Sequence, residues 1–224
     1  SGSDMSTAEA TDSSNIVIGK DTVIKGDIST AGVVGKTWSG LTNCVSYANV
    51  VGSGNFTNGI AQTGGKSVFY SNCMNYGDVN GADYVAGITS TNSKPSGASE
   101  IKVENCYNLG NISSTKETVN IGAISYMTAN LFTVANSYNL GTVKDLSGDK
   151  AQFNANDTYT NVAYNSENGI AAAEGTTGIT GYAAAQFKDR TVVDALNAND
   201  GVEETVWYQN TENPDLAFNM TVTS

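Results

Sequence analysis

Residues 105–112 read Asn-Cys-Tyr-Asn-Leu-Gly-Asn-Ile, and three other stretches of the chain repeat this pattern. Those copies begin at Asn43, Asn72 and Asn136, so the four stretches recur at intervals of 29 to 33 residues. A near-constant period of this length is typical of stacked structural repeats. The short β-branched runs between Gly and Asn predict about three short strands in each repeat, with successive copies stacked in parallel.

We therefore predict an all-β fold, a right-handed parallel β-helix of about four to five turns. The right-handed sense follows the strong preference of parallel crossover connections. We expect a tail at residues 1–14, the β-helix at 15–180, and a cap at 181–224 that closes the open end of the coil. The cap is predicted to contain short helices, with Thr191 as a helix N-cap and Asp194 reaching back to it, followed by a final strand.

Equivalent positions of the repeat are predicted to form ladders along the axis. Side-chain amides are expected to stack and hydrogen-bond at one corner, at Asn43, Asn72, Asn105 and Asn136. Small side chains are expected to line the core, at Cys44, Cys73, Cys106 and Ser137. Because three cysteines cannot pair completely, we predict buried thiols rather than disulfides. A weaker fifth copy begins at Asn161.

The composition narrows the range of partners. With 22 acidic and 11 basic residues, the net charge is −11. Such an excess of negative charge argues against nucleic acid as a partner. No apolar run is long enough to span a bilayer, so we expect no direct membrane insertion. The chain contains no segment typical of an export signal, and we expect it to be a fragment of a longer, exported protein.

No catalytic, cofactor-binding or metal-binding motif is evident. The chain has no histidine, which excludes a Ser-His-Asp triad. Glycoside hydrolysis needs two carboxylates close together. Asp78 stands alone in its column and Asp83 lies in a loop, whereas Glu100 and Glu104 flank one strand and could form a pair on one face, although plain surface residues are the alternative. We therefore expect a protein without enzymatic activity, and a divergent polysaccharide lyase or glycosidase remains an alternative. Two oxygen-rich loops, residues 145–149 and 154–157, leave Ca²⁺ binding open.

A candidate binding surface lies opposite the cysteines. Because side chains alternate along a strand, the residue after each Cys or Ser137 should point outward. Val45 begins this strip, and the candidate binding residues are Met74, Tyr107 and Tyr138. Exposed tyrosines suit contacts with sugar rings or a protein partner, although a ladder that only stabilises the sheet is the alternative. The long connection at residues 89–100 is a second candidate surface.

The repeat resembles the Asn-Cys-Tyr-Asn-x-Gly-x-Val repeats found beside GLUG-type motifs in surface proteins of gut and other anaerobic bacteria. Gly32-Val33-Val34-Gly35 keeps the closing glycine of the GLUG motif, whereas the stretches at Gly87 and Gly122 lack it. The resemblance implies a right-handed parallel β-helix on a secreted or cell-surface protein. We expect a non-catalytic module for adhesion to a host or microbial glycan or surface protein. The alternative is a purely structural stalk or spacer.

Overall fold

A computed structural model describes residues 13–14, 16–98, 100–117, 120–129, 131–170, 172, 175–198 and 206–216. These residues form a β-solenoid of about five turns, in which short parallel strands stack along one axis. The predicted all-β parallel β-helix is confirmed. The predicted tail falls outside the described residues except for Ser13 and Ser14, which already pair with the second turn as a strand.

The first two turns each contain five short strands. The first turn comprises β1 (Ser13–Ser14), β2 (Val17–Ile18), β3 (Val23–Gly26), β4 (Thr30–Ala31) and β5 (Val34–Thr37). The second comprises β6 (Leu41–Thr42), β7 (Val45–Ser46), β8 (Asn49–Gly52), β9 (Asn55–Asn58) and β10 (Ala61–Thr63).

The next two turns repeat this plan, and the last part departs from it. The third turn comprises β11 (Tyr70–Ser71), β12 (Met74–Asn75), β13 (Val79–Gly81), β14 (Asp83–Ala86) and β15 (Thr89–Ser90). The fourth comprises β16 (Ile101–Glu104), β17 (Tyr107–Asn108), β18 (Ile112–Ser114), β19 (Ile121–Gly122) and β20 (Ser125–Tyr126). The fifth comprises β21 (Phe132–Asn139), β22 (Val143–Asp145) and β23 (Gly148–Asp149). The coil then ends with β24 (Thr158–Asn165), which pairs with β21, and β25 (Ile179–Tyr182), which pairs with β24.

The prediction of about three strands per turn was wrong because the chain bends more often than its composition suggests. In the second to fourth turns the first two strands are separated by Asn43, Asn72 or Asn105, which have φ of 52 to 54°. Asparagine is one of the few residues that adopt this left-handed conformation readily. The corner asparagine therefore splits one predicted strand in two. Asn161 has the same conformation and confirms the fifth copy, since β24 pairs with β21.

The predicted corner ladder is confirmed only in part. Asn72 Nδ2 donates to Asn43 Oδ1 at 2.9 Å, and Asn161 Nδ2 donates to Asn136 Oδ1 at 3.0 Å. Between these two pairs the ladder is interrupted, because the Oδ1 atoms of Asn72 and Asn105 have no hydrogen-bond partner among the described residues. The shared left-handed turn, rather than a continuous chain of amides, is what these asparagines have in common.

The predicted core ladder is confirmed. Cys44, Cys73, Cys106 and Ser137 are fully buried on successive turns, and the Ser137 hydroxyl accepts a hydrogen bond from the Cys106 amide. All three cysteines lie within the described residues and are thiols rather than disulfides. Burial raises the pKa of the Cys73 thiol, so it stays protonated and serves as a small apolar core residue.

A second asparagine ladder, which the sequence analysis did not predict, runs through the interior of the coil. Asn75, Asn108 and Asn139 are fully buried, and each donates one Nδ2 proton to the next side chain and the other to the carbonyl two residues later. All of these distances are 2.7 Å. The ladder ends at Gln152, whose Oε1 accepts from Asn139. Each buried amide proton is therefore satisfied without charge.

A column of glycines makes room for this ladder. A Cβ atom on Gly59 would lie 2.4 Å from Asn75 Cγ, and one on Gly87 would lie 2.7 Å from Asn108 Cγ. Real Cβ atoms do not approach so closely, so these positions require glycine. Gly32 precedes them in the same column and faces Ser46. The glycines of the GLUG-like stretches at 32, 59 and 87 therefore have a packing role.

The residues after β25 cover the side of the coil, which corrects the prediction that they close its end. This C-terminal segment comprises the 3₁₀ helix Ala184–Phe187, helix α1 (Thr191–Asn197), β26 (Trp207–Gln209) and β27 (Pro214–Leu216), with β26 and β27 antiparallel. It buries an apolar cluster on the outer face of the sheet that contains β7, β12, β17 and β21. We call this the flank cluster: Val45, Met74, Tyr107, Tyr138, Ala163, Phe187, Val192, Val193, Leu196, Trp207 and Leu216.

The predicted capping box of α1 was also wrong. Arg190 is the N-cap residue, in a left-handed conformation, and Thr191 is the first helical residue. The Asp189 carboxylate accepts the Thr191 amide and hydroxyl, whereas Asp194 pairs with Arg190 at 3.0 Å. At the other end, Asn161 Nδ2 donates to the carbonyls of Ala195 and Leu196 and so ties the helix to the solenoid.

We expect Asn108→Ala to destabilise the protein by about 2 to 4 kcal/mol, because it leaves buried hydrogen-bonding groups of neighbouring turns unpaired. Urea unfolding followed by circular dichroism would measure the change. The exposed Asn111, in the same turn, is the matched control, and Asn111→Ala should cost less than about 1 kcal/mol. Equal effects of the two substitutions would contradict the role of the internal ladder.

We expect Ser46→Asn to stabilise the protein by about 1 kcal/mol. The Ser46 Oγ and Asn75 Oδ1 atoms are buried and have no partner among the described residues. An amide at position 46 could donate to Asn75 Oδ1 and to the Ala48 carbonyl, as Asn75 and Asn108 do in later turns. Thermal unfolding would measure the gain, with Ser46→Val as the control that adds volume without an amide. A lower midpoint for the asparagine variant would contradict this prediction.

Candidate ligand-binding groove

The predicted binding strip points away from the cysteines but is not exposed. Met74, Tyr107 and Tyr138 are fully buried, because the C-terminal segment packs on them. The Tyr138 hydroxyl donates to the Pro214 carbonyl and accepts from Asn213 Nδ2 at 2.7 Å. Burial raises the pKa of both tyrosines well above its ordinary value, so their hydroxyls remain protonated donors. The prediction that these residues form an exposed surface was wrong.

An open groove lies beside this buried strip, on the first turns of the solenoid. It has a volume of about 470 Å³. We call it the tyrosine groove, and its lining residues are Lys20, Asp21, Tyr47, Asn49, Tyr76, Asn210 and Asp215. Two of these residues come from the C-terminal segment, so the groove forms where that segment meets the early turns.

The floor of the groove is a stack of aromatic rings. The centroids of Tyr47 and Tyr76 are 4.4 Å apart, with 25° between the ring planes. Tyr76 contacts the edge of Tyr107, which stacks on Tyr138 at 4.8 Å. Tyr47 and Tyr76 thus continue the aromatic stack beyond the buried strip. Because the buried end is held by the C-terminal segment, the half-buried rings of Tyr47 and Tyr76 have a fixed support.

The tyrosine column ends at Gly19, which has no side chain to stack on the outer face of Tyr47. The Tyr47 amide donates to the Ile18 carbonyl, and Ile18 pairs with Ser46, so Gly19 takes the place opposite Tyr47. A Cβ atom at Gly19 would meet nothing within 4 Å. The Lys20 ammonium lies 5.3 Å from the Tyr47 centroid, within cation–π range. Lys20 and the ring of Tyr47 both line the groove.

The polar groups of the groove are held by hydrogen bonds within the protein. Asp215 Oδ1 accepts from the Tyr107 hydroxyl at 2.7 Å, and Asp215 Oδ2 accepts from Asn210 Nδ2 at 3.3 Å. Asn210 Oδ1 accepts two backbone amides, and Asn49 Oδ1 accepts the Asp78 amide. Polar side chains with fixed positions around an aromatic face are typical of pre-formed small-molecule sites.

Asp21 and Asp215 are the two carboxylates that line the groove, and a pair of carboxylates is what glycoside hydrolysis requires. The two residues differ strongly in environment. Asp21 is exposed, whereas Asp215 is buried and its oxygens hold Tyr107, Asn210 and the Leu216 amide. Asp215 therefore already has a structural role, since its hydrogen bond to Tyr107 holds the C-terminal segment against the solenoid. The arrangement favours binding over hydrolysis.

The other carboxylates considered from the sequence serve the scaffold. Asp78 Oδ1 accepts the Asn111 amide of the next turn, and Asp83 Oδ1 accepts the amides of Tyr84 and Asn120. Glu104 lies 3.9 Å from Lys102 on an exposed strand. Asp78 belongs to an outer column in which each side-chain oxygen accepts the backbone amide of the following turn, from Asn49 to Thr142.

A second cleft, of about 300 Å³, lies near Tyr126 and is lined by Ile121, Tyr126, Lys150, Ala151, Asn154, Ala155 and Asn156. The neighbouring Asp157 is buried, and its Oδ2 accepts from Ser125 at 2.9 Å and from Asn154 at 3.3 Å. Burial raises the pKa of Asp157 to about 7. Because none of the lining residues is a carboxylate, this cleft does not supply the second acid that glycoside hydrolysis would need.

The two oxygen-rich loops are organised by their own hydrogen bonds. The Asp145 carboxylate accepts from the Ser147 amide and pairs with Lys150 at 3.0 Å. In the second loop Asn154 Oδ1 accepts the Asn156 amide. Within the described residues no group of three or more His, Cys, Asp or Glu side chains could hold a metal ion. Calcium binding stays a prediction without support from these contacts.

The sequence analysis missed Tyr47 and Tyr76, although a signal was present. Both occupy the fifth position of the repeat, two residues beyond the predicted strip, where the later copies have Leu109 and Leu140. Asn210 and Asp215 could not be found in this way, because they lie outside the repeat. In the part of the chain that the structure describes, no helix has the length and apolar character needed to cross a bilayer. No protein-family model, curated protein or solved structure gave a match to the chain.

We expect the free energy of unfolding to fall by about 3 kcal/mol between pH 4 and pH 7 through Asp157 alone. The pKa of this carboxyl is raised in the folded state, so between these pH values the folded protein binds a proton that the unfolded chain has released. Stability therefore decreases as the pH rises towards about 7 and levels off above it.

Denaturant unfolding at a series of pH values would test this, with Asp157→Asn expected to remove the slope. Asp149→Asn is the matched control, because Asp149 is a surface partner of Lys144 and should leave the slope intact. Parallel stability profiles for the wild type and Asp157→Asn would contradict the prediction.

Proposed function

We propose that this protein is a non-catalytic glycan-binding module that works at the cell surface or in a secreted protein. The single observation that carries the proposal is a groove lined by Tyr47 and Tyr76, whose stacked rings are supported from behind by the buried tyrosines. Aromatic faces pack against the apolar faces of sugar rings, and side chains around them hydrogen-bond the hydroxyl groups.

The groove favours an uncharged oligosaccharide. Lys20 contributes one positive charge, and Asp21 and Asp215 contribute two negative charges, so an anionic ligand would face a net negative site. Asn49 and Asn210 add amide groups that suit sugar hydroxyls. The resemblance to GLUG-type surface repeats supports an extracellular location, and the rigid solenoid suits a protein that presents a ligand site away from its attachment.

The proposal predicts that Tyr47→Ala weakens binding at least about tenfold, since it removes the stacking face. An array of neutral oligosaccharides would identify the best ligand, and isothermal titration calorimetry would measure its Kd. Tyr208, an exposed tyrosine outside the groove, is the matched control, and Tyr208→Ala should bind normally.

A second variant keeps this test valid if Tyr47→Ala unfolds. Gly19→Trp would extend the stack over Tyr47, and the space around Gly19 allows the larger side chain without changing the fold. We expect this variant to keep the melting temperature and lose binding. The proposal fails if no neutral oligosaccharide binds, or if both groove variants bind like the wild type. Hydrolysis of the ligand that is lost in Asp21→Asn would replace binding by glycosidase activity.

A further inference from the structure

Positive charge is concentrated in one part of this acidic protein. Between Ile28 and Gly77 the chain has no Asp or Glu, and its only charged residues are Lys36 and Lys66. Between Tyr84 and Ser99 the only charged residue is Lys94. The net charge of the whole chain is −11, whereas these two stretches contain lysines and no carboxylate, so their own charge is positive.

The solenoid brings these three lysines to one edge. Lys36 lies in β5, and the other two lie in the connections that follow β10 and β15. The strand β10 pairs with β5, and the hydroxyls of Thr63 in β10 and Thr89 in β15 are 2.9 Å apart. The three lysines therefore lie along one edge of three successive turns, which rise by ~4.8 Å each. They do not share one column, because Lys36 is in register with Gln62.

Close packing joins the connections to one another. A Cβ atom on Gly64 would lie 2.7 Å from Lys36 Cε, so the lysine side chain of the first turn runs over the glycine of the second. A Cβ atom on Gly97 would lie 3.5 Å from Lys66 Cδ, which places the third connection beside the second. All three lysines are exposed.

Two large aromatic residues are exposed at the same edge. Trp38 is 64% exposed and Phe69 is 44% exposed. The Phe69 ring lies directly over Gly40, where a Cβ atom would be 2.0 Å from Phe69 Cε1. The Lys36 ammonium lies 5.1 Å from the centroid of Trp38. We call this surface the lysine corner, and it comprises Lys36, Trp38, Lys66, Phe69 and Lys94.

We propose that the lysine corner binds an acidic polysaccharide, a chain of sugars that carry carboxylate or sulfate groups. The exposed rings would stack on sugar faces, and the lysines of successive turns would pair with charges spaced along an extended chain. This site is separate from the tyrosine groove, which contains two carboxylates and favours an uncharged ligand. The third connection contains no carboxylate before Glu100, which lies at its end.

Single-stranded nucleic acid also combines negative charge with rings that stack on aromatic side chains. The net charge of −11 opposes it, because a phosphodiester chain carries a charge on every residue and brings more charge than three lysines can neutralise. A polysaccharide in which acidic and neutral sugars alternate spreads its charges more thinly along the chain. The observations therefore favour the polysaccharide.

Tryptophan fluorescence provides a direct readout. The chain has two tryptophans, and Trp207 is buried, so a change in emission on ligand addition reports mainly on Trp38. We expect hyaluronate or partially methyl-esterified polygalacturonate, in which neutral sugars separate the charged ones, to give a saturable change that weakens as salt is added. Uncharged dextran should give none. We expect the double variant Lys36→Gln/Lys66→Gln to bind about tenfold more weakly.

Matched controls separate this site from general electrostatics and from the groove. Lys102→Gln/Lys144→Gln removes two exposed lysines elsewhere and should bind like the wild type. Tyr47→Ala should also leave the binding of hyaluronate unchanged, so failure of one site does not imply failure of the other. Equal losses in the two lysine double variants would overturn the proposal, as would the absence of saturable binding. Tighter binding of oligo(dT) than of either polysaccharide would overturn it in favour of nucleic acid.

Discussion

The internal amide ladder is the constraint on which the rest of the solenoid depends. Asn75 and Asn108 each join their own turn to the next through one side chain, and Asn139 joins the end of the ladder to Gln152. The turns therefore cannot slip relative to one another without breaking buried hydrogen bonds. The ladder also fills the space that side chains at Gly59 and Gly87 would need. A position that accepts asparagine on one side of the coil therefore requires glycine on the other. This coupling explains why the repeat keeps both residue types at such regular intervals.

Because the register is fixed inside, the outer faces present continuous columns. On one face the column Val45, Met74, Tyr107 and Tyr138 is apolar enough to need a cover, and the C-terminal segment supplies it. The cover does not extend over the whole face. It reaches the fourth turn through Asp215 and Tyr107, and the remaining part of the aromatic stack, Tyr76 and Tyr47, borders the groove. The groove is thus a consequence of where the cover stops.

The sequence contained most of the information about the coil and little about the site. The repeat predicted the parallel stacking, the buried thiols and the outward direction of Tyr107, because periodicity and side-chain alternation are local properties. It did not predict that Trp207 and Leu216 would lie against that tyrosine, because docking between segments 100 or more residues apart leaves no periodic trace. The internal ladder was missed for another reason. Asparagine is common in turns, so the pattern alone does not indicate that the side chains of Asn75, Asn108 and Asn139 point inward.

Both candidate surfaces lie on the early turns, and one physical feature accounts for this. Side chains of a solenoid column are normally covered by those of the turns above and below, so a ring face becomes accessible only where its column stops. Gly19 ends the tyrosine column, and the ring of Phe69 lies against the backbone of Gly40. At both places a glycine borders an aromatic ring. The two surfaces differ in charge, since Asp21 and Asp215 border the first and lysines border the second. Under the two proposals, this difference in charge would direct ring faces of similar kind to different sugars.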